Sequence, residues 1–428
     1  MAKILIKGGR VIDPASNTDK KADILIEGGK IKQIKAGISA SANVAIDASG
    51  LIVCPGFIDA HVHLREPGFE EKETIESGSK AAVAGGFTSI LCMPNTKPVI
   101  DEPALVDFII EKSKEVGLAD IYVVAALTKN SEGQELSEMV HLADAGAVAF
   151  SDDGNNVDNA QVMRKALEYS KLADKPVLVH AEDSDLAGEG QVNEGLMATK
   201  LGLRAMPALA EEVIINRDIE LAKITGAKVH FMHVSTAGSV ELIRKAKKDK
   251  VAVTCEVTPH HLLLDDSMLR DFDTNLKVKP PIRSKKDTKA LLKGLKDGTI
   301  DCIASDHAPH ARHQKEVEFD YAAFGMVGLE TLFGLVYTNF EKDLGLLDLI
   351  AKVSANPARI FGLEAGAIKE NGIADITIID PKAQVKVDSS KFYSKSQNTP
   401  FKGWQLKGKI DQVIKRGRVV FKDGKVVE

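Results

Sequence analysis

The sequence predicts an α/β fold, a (β/α)₈ barrel of the TIM type carrying a small β-sandwich built from both ends of the chain. Three observations predict it. Short apolar runs alternate with amphipathic stretches from Pro55 to Phe361, both ends read as hairpins broken at glycine, and histidines and aspartates gather at the C-terminal ends of the apolar runs. The expected division is residues 1–54 with 362–428 for the sandwich and 55–361 for the barrel.

The ends are read first. KILIKGGRVID, ADILIEGGKIKQI and NVAIDASGLIVCPG alternate apolar and polar residues around glycine turns, and ADITIIDP, AQVKVD and DQVIKRGRVVFKDGKVV repeat the pattern. Neither segment has enough strands to bury both faces of a sheet, so pairing them removes the exposed edges of each. The barrel strands follow in order as FIDAHVHL, TSILCMP, IYVVAAL, AVAFSDD, PVLVHAED, KVHFMHVS, AVTCEVTPHH and DCIASDHAP. Their number is the one that closes a parallel barrel. Helical periodicity fills the gaps, for example over 71–85, Pro103–Val116, 160–172 and 239–248.

Composition narrows the partners. A formal net charge of −5 supplies no basic surplus for nucleic acid or an anionic membrane, so a small-molecule substrate is expected. Cys54, Cys92, Cys255 and Cys302 are far apart in apolar runs and read as buried free thiols of a reducing compartment. The N-terminus MAKILIKGGRVID lacks a cleavable apolar leader and no apolar run is long enough to span a bilayer, which predicts a cytoplasmic protein.

The chemistry starts at FIDAHVHLREPG. His61 and His63 are one residue apart on a strand, so both imidazoles face the barrel mouth and one cation can reach both. His180 ends PVLVHAED, His233 ends KVHFMHVS and Asp306 follows DCIAS. In KVHFMHVS, alternation sets Val229, Phe231 and His233 on one face and His230 and Met232 on the other. Only one of the two histidines can then look inward at the rim; His233 is assigned there, leaving His230 against the helices or in the core. Four histidines and a carboxylate suit zinc better than magnesium or calcium, which prefer oxygen. In AVAFSDDG either Asp152 or Asp153 can bridge two metals, the other serving as a turn residue beside Gly154.

PGFIDAHVHLREPG, AGGFTSILCMPNT, AFSDDG, VHAED, HVST, ASDHAPH and FGMVGLET together resemble the bacterial class I dihydroorotases of the amidohydrolase superfamily, across essentially the whole chain. The resemblance implies one or two Zn²⁺ ions per subunit. His61 and His63 would serve a first ion, His180 and His233 a second, with Asp153 as the bridge and Asp306 as both ligand and catalytic carboxylate. Hydantoinases carry a carboxylated lysine as the bridge, and AVAFSDD offers none. For the substrate, the resemblance implies contacts from His63, Arg65, Asn95 and His310, with Phe324 and Gly325 on a covering loop. A guanidinium suits a carboxylate because its fork donates two parallel hydrogen bonds. The alternative for Arg65 is a rim salt bridge to Glu66 or Glu70. Lys279 stands where the family usually has asparagine, and it too is counted among the substrate contacts. His307 receives no role.

The implied activity is the reversible interconversion of N-carbamoyl-L-aspartate and (S)-dihydroorotate plus water, a step of pyrimidine biosynthesis. The implied partners are a second copy of the chain, as a homodimer, and an aspartate transcarbamoylase. The rival readings are another cyclic amidase (allantoinase, dihydropyrimidinase or hydantoinase) and a non-catalytic scaffold for the transcarbamoylase. Arg65 and Asn95, poised for a carboxylate, argue against the first; the complete set of candidate ligands argues against the second.

Overall fold

The computed structural model describes residues 3–427. Eight parallel strands run in sequential order around a barrel: β1 (Phe57–Val62), β2 (Phe87–Cys92), β3 (Asp120–Ala126), β4 (Ala149–Ser151), β5 (Val177–Val179), β6 (Val229–Phe231), β7 (Val253–Val257) and β8 (Cys302–Ile303). Closure comes from backbone just beyond β8, where His63 N–H donates to His307 O at 2.9 Å. The Asp59 carboxylate reinforces it by accepting from the backbone N–H groups of His61 and Ser305.

Every predicted strand overlaps one of these eight, and each predicted helix is present, three of the four with shifted ends. The stretch 71–85 yields Ile75–Ala84, because Thr74 accepts from Ser77 N–H and caps the first turn there. Pro103–Val116 agrees to the residue, with proline at the first turn and Gly117 at φ 62 after the last. The other two are Ala160–Ser170 and Ala237–Lys248, the latter starting earlier because Thr236 caps it.

Two apolar layers explain the barrel. Phe57, Phe87, Val123, Val177, Phe231 and Val257 pack outward against the helices. Ile58, Ala60, Leu91, Val124, Ala149 and Leu178 fill the interior, closed at one end by Ala358 and Phe361 from helix Ala355–Phe361. Short strands suffice because both faces are covered.

The chain ends form one nine-stranded sheet. Its joint is Ile52–Pro55, which pairs in parallel with Ile4–Asp13 and antiparallel with Ile376–Lys386, so N- and C-terminal segments share one ladder. Ile6, Ile24, Ile26, Val53, Ile376 and Ile414 form its apolar core. All four cysteines are buried free thiols. No helix among the described residues is long and apolar enough to cross a membrane.

Candidate metal centre and substrate cavity

The candidate ligands come from five strand ends and converge on Asp153. His61 Nε2 and His63 Nε2 lie 3.5 and 3.4 Å from Asp153 Oδ2, and His180 Nδ1 lies 3.5 Å and His233 Nε2 4.0 Å from Asp153 Oδ1. Asp306 Oδ1 stands 3.2 Å from His63 Nε2 and 3.6 Å from His61 Nε2. All six side chains are buried. Two overlapping donor groups result, His61–His63–Asp306 and His61–Asp153–His233, each with ligand atoms within 4.8 Å of one another.

Local backbone explains how neighbours in sequence reach one point. His61 and His63 do share a face, but a register shift between Asp59 and Val62 was needed to bring His61 onto the side that Ile58 and Ala60 occupy. His233 and Asp306 both lie past the ends of their strands at positive φ, 32° and 47°, which turns their side chains back over the mouth.

The reading of KVHFMHVS needs correction. Val229 and Phe231 face the helices, whereas Met232 lines the interior and His230 bonds Glu256 there. Strand alternation stops after Phe231, so it does not extend to His233, and both histidines are inside the barrel at different depths. The aspartate pair separates as two distinct jobs. Asp152 accepts from Leu127 N–H and Thr128 N–H at 2.9 Å each and from the Thr128 hydroxyl, tying β3 to β4, while Asp153 enters the cluster.

The donor set fits a divalent cation. His61 Nε2 and Asp153 Oδ1 are buried with no hydrogen-bond partner, an expensive arrangement unless something positive stands between them. His180 Nδ1 and His233 Nε2 lie 3.0 Å apart, close enough for one cation to reach both. Burial disfavours the charged Asp153 carboxylate, yet the surrounding imidazoles of His61, His180 and His63 outweigh it and hold its pKa well below the usual range. Behind His61, the Nδ1 atom lies 2.9 Å from Glu256, a carboxylate that burial would raise but that bonds from His230 and His61 bring down to about 2.

Above the cluster is a cavity of about 300 Å³ whose wall includes Arg65, Asn95, Lys279, His310, Phe324 and Gly325. Asn95 Oδ1 meets His63 Nδ1 at 2.9 Å. The Arg65 Nε donates to Pro309 O at 3.2 Å, and neither Glu66 nor Glu70 pairs with it; those carboxylates accept instead from Ile75 N–H and Gly68 N–H. Burial lowers the Arg65 guanidinium to about 10, still cationic at neutral pH. His310 is pushed down to about 2 by burial and by Arg65, so it is a neutral ring with Nε2–H donating to Phe324 O at 2.7 Å and Nδ1 without a protein partner. Lys279 Nζ pairs with Glu182 at 2.7 Å. Gly325 has φ +133, and a Cβ there would fall 2.7 Å from the Ala308 Cβ, so the covering loop needs glycine at this point.

Several residues escaped the sequence reading. Glu256 shares its side of β7 with Thr254, a parity that alternation would have exposed had the acidic residue been weighed. Lys277 and Lys315 are buried and hold the covering loop: Lys277 Nζ donates to Phe319 O and Asp320 O, and Lys315 Nζ to Ala323 O and Gly325 O. No local pattern marks them. His307, left without a role, bonds Glu73 through Nε2 at 3.1 Å and accepts Gly328 N–H at Nδ1, joining the strand end to the segment around Ser394 that also bonds Glu73.

A buried histidine–aspartate cluster at the C-terminal mouth of a barrel, with a terminal β-sheet beside it, defines a class, and the chain belongs to it: residues 52–420 match the amidohydrolase family. Its relatives are more particular. The chain is 48% identical over 424 residues to "Dihydroorotase" of Syntrophus aciditrophicus (strain SB), covering 98% of this chain and 100% of the relative. It is 50% identical over 421 residues to "Dihydroorotase" of Geobacter metallireducens, covering 98% and 99%. Among solved structures, an L-hydantoinase (dihydropyrimidinase) from Arthrobacter aurescens superposes with a TM-score of 0.89 at 28% identity, covering 100% of this chain and 98% of that one.

Proposed function

We propose that this chain interconverts N-carbamoyl-L-aspartate and (S)-dihydroorotate plus water, in the manner of a bacterial class I dihydroorotase. The carrying observation is one cavity with a buried guanidinium, Arg65, on its wall and the His–Asp cluster at its base. Dihydroorotate has a ring amide and a carboxylate, and such a cavity offers a partner to each. End-to-end similarity to proteins named dihydroorotase supports the same reading.

In this reading His61, His63 and Asp306 would hold one Zn²⁺, and His180 and His233 a second, with Asp153 between them. Zinc bound there would act as a Lewis acid on the ring carbonyl and lower the pKa of water toward about 7. The chain's own groups do the rest. Arg65, Asn95 and Lys279 bind and orient the substrate carboxylate, and the unpartnered His310 Nδ1 offers an acceptor to a ring N–H. Phe324 and Gly325 cover the ring and keep bulk water out. Asp306 takes the proton of the attacking water and delivers it to the departing ring nitrogen; in the reverse direction it moves that proton back as the ring closes.

Asp306→Asn tests the assignment: turnover of dihydroorotate should vanish while the melting temperature stays near that of the parent. Retained turnover refutes the role. The rival cyclic amidases act on rings without the carboxylate, so assays against dihydroorotate, dihydrouracil, hydantoin and allantoin separate the readings. A homodimer, associated with an aspartate transcarbamoylase, is the assembly we propose from the resemblance, and sedimentation of the protein alone and with that partner tests it.

A further inference from the structure

Barrels of this kind are filled by layers of branched apolar side chains. Beneath the candidate metal centre the layer is broken by a carboxylate. Glu256 is fully buried, with Oε1 2.9 Å from His61 Nδ1 and Oε2 3.2 Å from His230 Nε2. His230 Nδ1 in turn lies 2.8 Å from the Thr254 hydroxyl. A charged group placed there gains nothing in stability over a well-packed apolar residue of similar size, so folding alone does not account for it.

With both imidazoles neutral, as cation binding requires, the proton inventory of this group has one consistent solution. Ionised Glu256 only accepts, so His61 donates from Nδ1 and His230 donates from Nε2. The remaining nitrogen of His230, Nδ1, is then an acceptor and takes the Thr254 hydroxyl proton. The remaining nitrogen of neutral His61, Nε2, is a lone pair, and it is the atom that faces Asp153 and Asp306 without a hydrogen-bond partner. The group His230–Glu256–Cys302 is compact enough to suggest a second cation site. Hydrogen bonds already occupy both ring nitrogens and both carboxylate oxygens, and burial raises the Cys302 thiol well above its usual range, so it offers no thiolate.

We infer that Glu256, backed by His230, is a positioning residue that locks His61 in its Nδ1–H tautomer and so presents Nε2 to the cation. This rests on the metal-centre reading given above. The lock acts through orientation: Thr254 sets His230, His230 fixes the carboxylate plane, and the carboxylate fixes the imidazole. In Glu256→Gln the amide can donate to His61 Nδ1 as readily as accept from it, which frees the tautomer.

The test uses the full chain stripped of metal and reads two quantities besides activity. In the parent, long-range ¹H–¹⁵N spectra should show His61 protonated at Nδ1, and chelator competition should give the Zn²⁺ affinity. Glu256→Gln is expected to weaken Zn²⁺ by about 10- to 100-fold and to show His61 with proton density at Nε2. His230→Gln keeps a donor toward Glu256 and should stay close to the parent, whereas His230→Leu should fall toward Glu256→Gln; this pair serves if Glu256→Gln does not fold. Parent-like Zn²⁺ affinity and an unchanged His61 tautomer in Glu256→Gln, or equal affinities in the two His230 variants, overturn the lock alone. A parent chain that binds no Zn²⁺ overturns the metal centre and the lock together.

Discussion

Arg65→Met isolates the recognition of the substrate carboxylate. The guanidinium is buried, its Nε is spent on Pro309 O and its Nη2 lies 3.4 Å from His310 Nε2, which already carries a proton toward Phe324 O, so the terminal nitrogens gain a good acceptor only from an incoming anion. Burial takes it down only to about 10, so at neutral pH it enters the complex as a desolvated cation. Removing one partner of a buried, hydrogen-bonded ion pair costs about 3–5 kcal/mol. At roughly 1.4 kcal/mol per decade, kcat/KM for dihydroorotate should fall by about 10²- to 10⁴-fold. The candidate ligands do not touch this side chain, so Zn²⁺ content should be unchanged. Steady-state kinetics with dihydroorotate gives the loss, and the inhibition constant of dihydrouracil, the same ring without the carboxylate, gives the control. That constant should move by no more than about threefold, because an interaction absent from a ligand cannot be removed from it. Arg65→Lys, which keeps the charge but not the fork, should fall between. Equal losses for both rings, or a kcat/KM within about tenfold of the parent, would refute the reasoning.

Lys315→Met leaves the Ala323 carbonyl unpaired and the Gly325 carbonyl with Asn398 alone, a penalty of about 1–3 kcal/mol on the loop rather than on the chemistry. Faster amide exchange around Phe324 and a raised KM with unchanged kcat are expected; unchanged exchange there contradicts the clamp. Glu330 supplies a pH dependence. Burial pushes its carboxyl up to about 8 from 4.5, against the N–H groups of Ser394 and Tyr393. The native state then holds this proton more tightly than the unfolded chain, so its contribution is complete below pH 4.5 and is lost as pH rises through about 8. Glu330→Gln should therefore melt higher than the parent above that pH and equal it in acid, and parallel melting curves across the range would count against it. Gly68→Ala is disfavoured twice, by a φ of +98 and by a Cβ 2.1 Å from Lys97 O, so chemical denaturation should show a loss above about 4 kcal/mol.

The barrel was legible because its evidence is local and repeated. Each strand is a short apolar run and each helix an amphipathic one, and Thr74 and Thr236 moved boundaries by only a few residues. The spacing of His61 and His63 was legible for the same reason. What misled was a strand rule carried past the end of its strand. Alternation holds through Phe231 and then stops, so it wrongly set His233 on the face of Val229 and Phe231; His230 lies in the core, one of the two places left to it, and His233 reaches the cluster through a turn at positive φ. The choice between Asp152 and Asp153 could not come from their neighbours, since both precede the same glycine; it turned on which carboxylate Leu127 and Thr128 already engage.

By itself, then, the sequence determined the order of strands and helices, the joining of its two ends, and the candidate histidines and aspartates at the strand ends, because periodicity and side-chain chemistry are written residue by residue. Tertiary structure alone decided which nitrogen of His61 is free and which buried lysines hold the covering loop, and it supplied the reason that Asp153, the bridge the resemblance implied, faces the cluster while Asp152 does not. Those outcomes depend on hydrogen bonds between groups as far apart in the chain as His61 and Glu256, and such bonds exist only once the barrel has closed.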